Sequence, residues 1–112
     1  MTMLNLDIEY NKGILFVRLV GKLDRLSSYK INNYLIPVIL KQKIKYLVFN
    51  FKKLQDIDET GEDTLLNTLY AVQTNKGKLY LCEVNNHLSK KINQLHIKQT
   101  INEEHVLKLM EN

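Results

Sequence analysis

Six consecutive residues, Tyr46 to Phe51, limit the fold more than any other part of the chain. All but Asn50 are apolar or aromatic, and most favour strands. A strand that is apolar on both faces must be covered on both, which is the position of a central strand in an α/β sheet. The rest of the chain reads as suitable cover. Leu4, Leu6, Ile8 and Tyr10 alternate with polar neighbours, Asn11-Lys12-Gly13 reads as a turn, and Ile14 to Val20 read as a second strand, so the chain opens with a hairpin.

Gly21 to Leu26 lead to Ser27 and Ser28, either of which can cap a helix, and Ile31, Leu35, Val38 and Ile39 form one helical face. Pro37 lies inside that helix and is expected to kink or break it. Leu65, Leu66, Leu69 and Val72 give a second helical face. Asn75-Lys76-Gly77 ends it, with the glycine suited to a left-handed cap. Leu79 to Val84 read as a strand, Leu88, Ile92 and Leu95 as a helix, Lys98 to Ile101 as a short strand, and Val106, Leu107 and Met110 as a last helix. The expectation is one α/β domain over residues 1–112, with a mixed β-sheet, an N-terminal hairpin and about four helices.

Composition narrows the function. At 112 residues, 45% apolar and 25% charged, the chain has an ordinary globular mix. One cysteine excludes an internal disulfide framework and fits a reducing, cytoplasmic setting. The first ten residues include Asp7 and Glu9 and do not read as a signal peptide, and the longest apolar stretch, Tyr34 to Leu40, is too short for membrane insertion. The net charge of +4 comes from scattered lysines and only two arginines, without interleaved aromatics, so direct nucleic-acid binding is not expected.

Five of the twelve acids, Asp56, Asp58, Glu59, Glu62 and Asp63, fall within eight residues between the apolar strand and the second helix. α/β domains commonly place their sites in such a loop. Thr60 stands at the expected helix start with Asp63 three positions on, close to a capping box. It can cap the helix, or carry a phosphate that adds about two negative charges to the loop. Asp56, Asp58, Thr60 and Gly61 also match the opening positions of a calcium loop. Asn67 stands where the closing Glu belongs, however, and a strand leads in, so no metal is expected. Cys82 lies in an apolar strand, the histidines His87, His96 and His105 lack ligand spacing, and no glycine-rich phosphate loop occurs. No enzyme and no cofactor are read from these residues.

The chain resembles the STAS domain family, and within it the bacterial anti-sigma factor antagonists. The resemblance rests on Gly21-Lys22-Leu23-Asp24, on the strand Tyr46 to Phe51, and on Asp58-Glu59-Thr60-Gly61 in the place of the family's Asp-Ser-Ser-Gly or Asp-Ser-Thr-Gly turn. The following helix, the Gly77 turn and the strand through Cys82 to Val84 keep the family's spacing. Glu59 stands in place of the motif's first hydroxyl residue, Glu62 in place of the usual apolar residue, and Asn50 where many relatives have Asp.

The resemblance implies a partner switch. The unmodified antagonist would bind an anti-sigma factor with serine/threonine kinase activity and so release a sigma factor. Phosphorylation at Thr60 would end that contact, and a PP2C-type phosphatase would restore it. The partner-binding residues it implies are Asp24, Asp58, Glu59, Thr60, Gly61 and Glu62. The alternative is a STAS domain that does not switch, either a scaffold in a signalling assembly or a transporter-associated subunit.

Overall fold

The central strand is longer than its apolar run. In the computed structural model, which describes residues 3–111, the elements follow in the order β1 (Asn5–Asn11), β2 (Ile14–Leu23), α1 (Lys30–Leu35 continuing into Ile36–Lys41), β3 (Tyr46–Ile57), α2 (Glu59–Thr74), β4 (Lys78–Cys82), α3 (Asn86–Asn93), β5 (Lys98–Thr100) and α4 (Glu103–Met110). The five strands lie side by side in chain order, with β1 antiparallel to β2 and every later pair parallel. This is the expected single mixed-sheet α/β domain with its opening hairpin and four helices.

Both faces of β3 are covered. Leu47, Phe49, Phe51, Leu54 and Ile57 join the larger core with Ile31, Leu35 and Ile39 of α1, Leu65 and Val72 of α2, and Leu88 and Ile92 of α3. Val48 joins the smaller core on the opposite face, with Ile14, Phe16, Tyr80, Cys82 and Val106 of α4. Burial in that layer pushes the Cys82 thiol up to about 12, so it is a packed apolar side chain rather than a nucleophile.

Several local readings are corrected by the structure. β3 runs on to Ile57 because its pairing with β2 shifts twice, between Arg18 and Val20 and between Gly21 and Lys22. Each shift gives β3 one extra residue, which turns Leu54 and Ile57 inward and hides them from a period-2 reading. Gly21, at φ 116°, takes a backbone conformation there that a Cβ would strain. Ser27 and Ser28 cap no helix. The Ser28 hydroxyl donates to Asp24 O (2.7 Å), the Ser27 hydroxyl donates to Lys22 O (2.8 Å), and together they knit the β2–α1 loop.

The first six residues of α1 are wound as a π-helix, and the Ile36 N–H donates to Ile31 O. The wider turn leads into the α-helical segment with Pro37 at its start, so the proline falls where the winding changes rather than inside a regular α-helix. It also keeps Ile31, Leu35 and Ile39 in line while Val38 swings out to 48% exposure. On α2, Thr64 and Thr68 are buried on the inner face, whereas Leu66 and Leu69 are only partly buried. Each threonine hydroxyl donates to the carbonyl four residues back, so it enters the core satisfied. At the end of α2, Lys76 takes the left-handed position (φ 60°) rather than Gly77. Gly77 is needed for space, since a Cβ there would meet Lys45 O at 1.9 Å.

α4 has eight residues and one fully buried side chain, Val106, so packing alone holds it weakly. A polar network adds to it. Arg18 donates to both carboxylate oxygens of Glu103 (2.9 and 2.8 Å) and to Glu9 (3.0 Å). The Asn50 amide donates to Glu103 (2.8 Å) and Glu83 (2.9 Å), while its oxygen accepts from Lys52 N–H (2.8 Å). Position 50 thus needs two donors facing carboxylates, which an Asp could not supply.

Two predictions follow from these layers. Leu65→Ala should cost about 2–5 kcal/mol in denaturant unfolding and Leu69→Ala clearly less, because only Leu65 is fully enclosed. The Arg18 hydrogen bond holds the Glu103 carboxyl below its usual range, with the Asn50 bond acting the same way. A depressed carboxyl stabilises above its unfolded pKa of about 4.3, and that contribution is lost as pH falls through the folded value. Protection of the α4 amides, read as exchange relative to the intrinsic rate at each pH, should therefore fall on acidification below about pH 4. Asn50→Asp should reverse the trend, loosening α4 as pH rises and three carboxylates ionise together.

Candidate functional site

The C-terminal ends of β2 and β3 meet through one side chain. Asp58 lies between β3 and α2 in extended conformation and is the N-cap of α2: its Oδ1 accepts from Gly61 N–H at 2.8 Å. Its Oδ2 accepts from Arg25 N–H at 2.9 Å, 33 residues away in the β2–α1 loop. Asp58 N–H donates to Leu23 O at the end of β2 (3.3 Å). Within the loop, Asp24 Oδ1 accepts from the N–H groups of Leu26 (3.0 Å) and Ser27 (3.1 Å). Two loops become one surface.

Thr60 therefore does not cap the helix. It is the second residue of α2, half-buried, and the capping bonds leave its hydroxyl out. Gly61 is buried and faces inward: a Cβ there would meet Leu23 O at 2.3 Å and Ile57 Cγ1 at 2.7 Å. Its lack of a side chain lets the first turn of α2 close onto the end of β2, so it shapes the surface without being on it. Glu59 and Asp63 are exposed and Glu62 is half-buried around the same turn.

Asp56 stands apart from the other four acids. Its Oδ1 accepts from Ile57 N–H at 2.8 Å and lies 3.5 Å from Lys91 Nζ, and Lys91 also donates to Ile57 O (2.8 Å). The Ile57 bond first, and Lys91 second, hold the Asp56 carboxyl below its usual range. This pair fastens α3 to the end of β3. Among the described residues no group of three His, Cys, Asp or Glu side chains could hold a metal ion.

This surface also has an apolar part, assembled from separate segments of the chain. Beside Asp24 lies a groove of about 580 Å³ lined by Met3, Leu4, Lys22, Leu26, Tyr29 and Lys30. Leu26 is 70% exposed at its rim. On the other flank, Asn32 of α1 donates to the Thr64 hydroxyl (3.0 Å) and accepts from Asn67 (3.2 Å), tying α1 to α2. The only trace of the groove in the sequence is a leucine in an otherwise polar loop.

The STAS domain family model matches residues 5–110, nearly every element described above. The chain belongs to the STAS domain family. A STAS relative, the anti-sigma F factor antagonist of Paenibacillus polymyxa, is 28% identical over 82 residues, which is 73% of this chain and 70% of that one. Among solved structures, the unphosphorylated anti-sigma factor antagonist SpoIIAA superposes with a TM-score of 0.80 over 96% of this chain and 100% of its own, at 18% identity. The phosphorylated form of SpoIIAA, a Bacillus cell fate determinant, gives 0.74 over 94% and 99%, also at 18%. The murine anion transporter Slc26a9 gives 0.71 over 93% of this chain but only 19% of its own, at 14% identity. One STAS architecture thus occurs in proteins of different kinds, and the fold does not select among them.

Asp58→Ala should remove both bridges of this STAS surface. The cap alone is worth about 1–2 kcal/mol, and amide exchange at Arg25, Leu26 and Gly61 should quicken together. Quickening at Gly61 alone would mean that the β2–α1 loop stands without Asp58.

Proposed function

We propose that this chain is an anti-sigma factor antagonist, a binding module rather than a catalyst, controlled by phosphorylation of Thr60. The partner in this reading is an anti-sigma factor with serine/threonine kinase activity, and a PP2C-type phosphatase reverses the modification. The observation that carries the reading is the division of labour in the first turn of α2. Asp58 caps the helix, so the half-buried Thr60 hydroxyl can take a phosphate without loss of the cap. The positive end of the helix dipole favours an added anion at that place.

The docking surface in this reading comprises Asp24, Asp58, Glu59, Thr60 and Glu62, with Gly61 beneath them and the groove beside Leu26 as its apolar part. A phosphate on Thr60 adds about two negative charges among Glu59, Glu62 and Asp63. Such a change repels or misaligns a docked partner while the core stays as it is. The acids favour a partner that is basic where it faces the first turn of α2, which also makes association faster at low ionic strength.

Incubation of the protein with the cognate kinase and ATP, followed by mass spectrometry, tests this. Phosphate is expected on Thr60 and absent from Thr60→Ala, which should still bind the partner and keep its stability within about half a kcal/mol, since no cap is lost. Phosphate on Ser27, Ser28 or Thr64 with Thr60 untouched would refute the assignment. Binding of the partner with no phosphate transfer would favour the non-switching scaffold.

A further inference from the structure

The lysines of this chain are unevenly placed. Lys12, Lys41, Lys43, Lys45, Lys76 and Lys78 all lie at the end of the sheet where β2, β3 and β4 begin, opposite Thr60. They come from the β1–β2 turn, the end of α1 with its link to β3, and the link from α2 into β4. All six are exposed, and among the described residues none forms an ion pair with a carboxylate. Lys12, Lys43, Lys45 and Lys78 line an open cavity of about 510 Å³ together with Tyr10 and Leu109. Glu111, just beyond α4, is the acid that follows this lining.

Helix dipoles do not account for so much charge. α1 and α2 end here, and each C-terminus carries roughly half a negative charge, about one in total against six lysines. The backbone supplies an independent observation. Lys12, Lys43 and Lys76 have φ values of 52°, 54° and 60°, in the left-handed region that strains residues with a Cβ. The described residues contain five such non-glycine positions, and these lysines fill three of them at three separate turns. Glycine would sit there with less strain. Lysine at all three exchanges stability for positive charge on one surface.

We propose that this end of the domain docks on an anionic lipid bilayer, with the six lysines facing headgroup phosphates and Tyr10, Leu40 and Leu109 at the interface. Lysine is a compact point charge on a flexible stem, suited to a diffuse phosphate layer. Both arginines lie elsewhere, at Arg18 and Arg25, so the patch lacks the planar fork that reads base edges. Tyr10, Leu40 and Leu109 are exposed, as interfacial anchors must be. Bound in this way, the domain turns the acidic first turn of α2 and Thr60 away from the negative membrane.

Vesicle flotation of the full chain tests the proposal. The protein should float with phosphatidylcholine–phosphatidylglycerol vesicles at low salt, stay behind with pure phosphatidylcholine, and be released at high salt. Each lysine should contribute about fivefold to the partition coefficient, so the triple variant Lys12→Gly, Lys43→Gly, Lys76→Gly should lose about a hundredfold. That variant should melt at or above the wild-type temperature because glycine relieves the left-handed strain, which separates lost binding from lost folding. Equal binding to both vesicle types, or wild-type binding by the triple variant, would overturn the proposal. So would salt-sensitive capture of a single-stranded oligonucleotide, or of a second copy of the chain, in the absence of vesicle binding.

Discussion

A strand buried on both faces has to be covered twice, and most of this structure follows from that requirement at β3. One face is closed by α1, α2 and α3, which bring enough apolar side chains to form the larger core. The other is closed by α4 alone, and a helix of eight residues with one fully buried side chain needs further anchoring. Arg18, Asn50 and Glu103 supply it with charged hydrogen bonds at the helix's first turn. With both faces of β3 occupied, the residues singled out for recognition lie at the two ends of the sheet. Their chemistry differs: acids cluster around the first turn of α2 where β3 finishes, with Lys22 and Lys30 in the groove beside them, and lysines cluster where the strands start.

The element order could be read in the sequence because the apolar pattern there is strong and local. Tyr46 to Phe51 marked the central strand, and Leu88 and Ile92 marked α3. What escaped was set by contacts between distant segments. The extension of β3 through Lys52 and Lys53 depends on two register shifts against β2, which no periodicity within β3 records. Thr64 and Thr68 lie outside the apolar pattern of α2, yet hydrogen bonds within the helix make them acceptable in the core.

The site was legible as a location but not as a geometry. Five clustered acids and a threonine before a glycine pointed to the start of α2. Which residue capped that helix turned on a single-residue link between β3 and α2, and boundaries of that kind are the least certain part of a sequence reading. Asp58 holds the cap, Gly61 lets the first turn of α2 close onto the end of β2, and Asp56 at the end of β3 pairs with Lys91 of α3. The apolar groove beside Asp24 collects Met3, Leu4, Leu26 and Tyr29 from separate segments, so Leu26 alone hinted at it in the sequence.

The π-helical opening of α1 has a consequence for comparing this chain with its relatives. A π-turn amounts to one residue inserted into an α-helix, with the widened turn absorbing the surplus. A relative whose first helix is α-helical throughout would have one residue fewer between the loop serines and the proline. An ungapped alignment across the helix would then match Val38 to a core position and slide Leu35 and Ile39 off theirs. The gap belongs between Lys30 and Leu35, and a substitution count that omits it would mistake a change of winding for a loss of core residues.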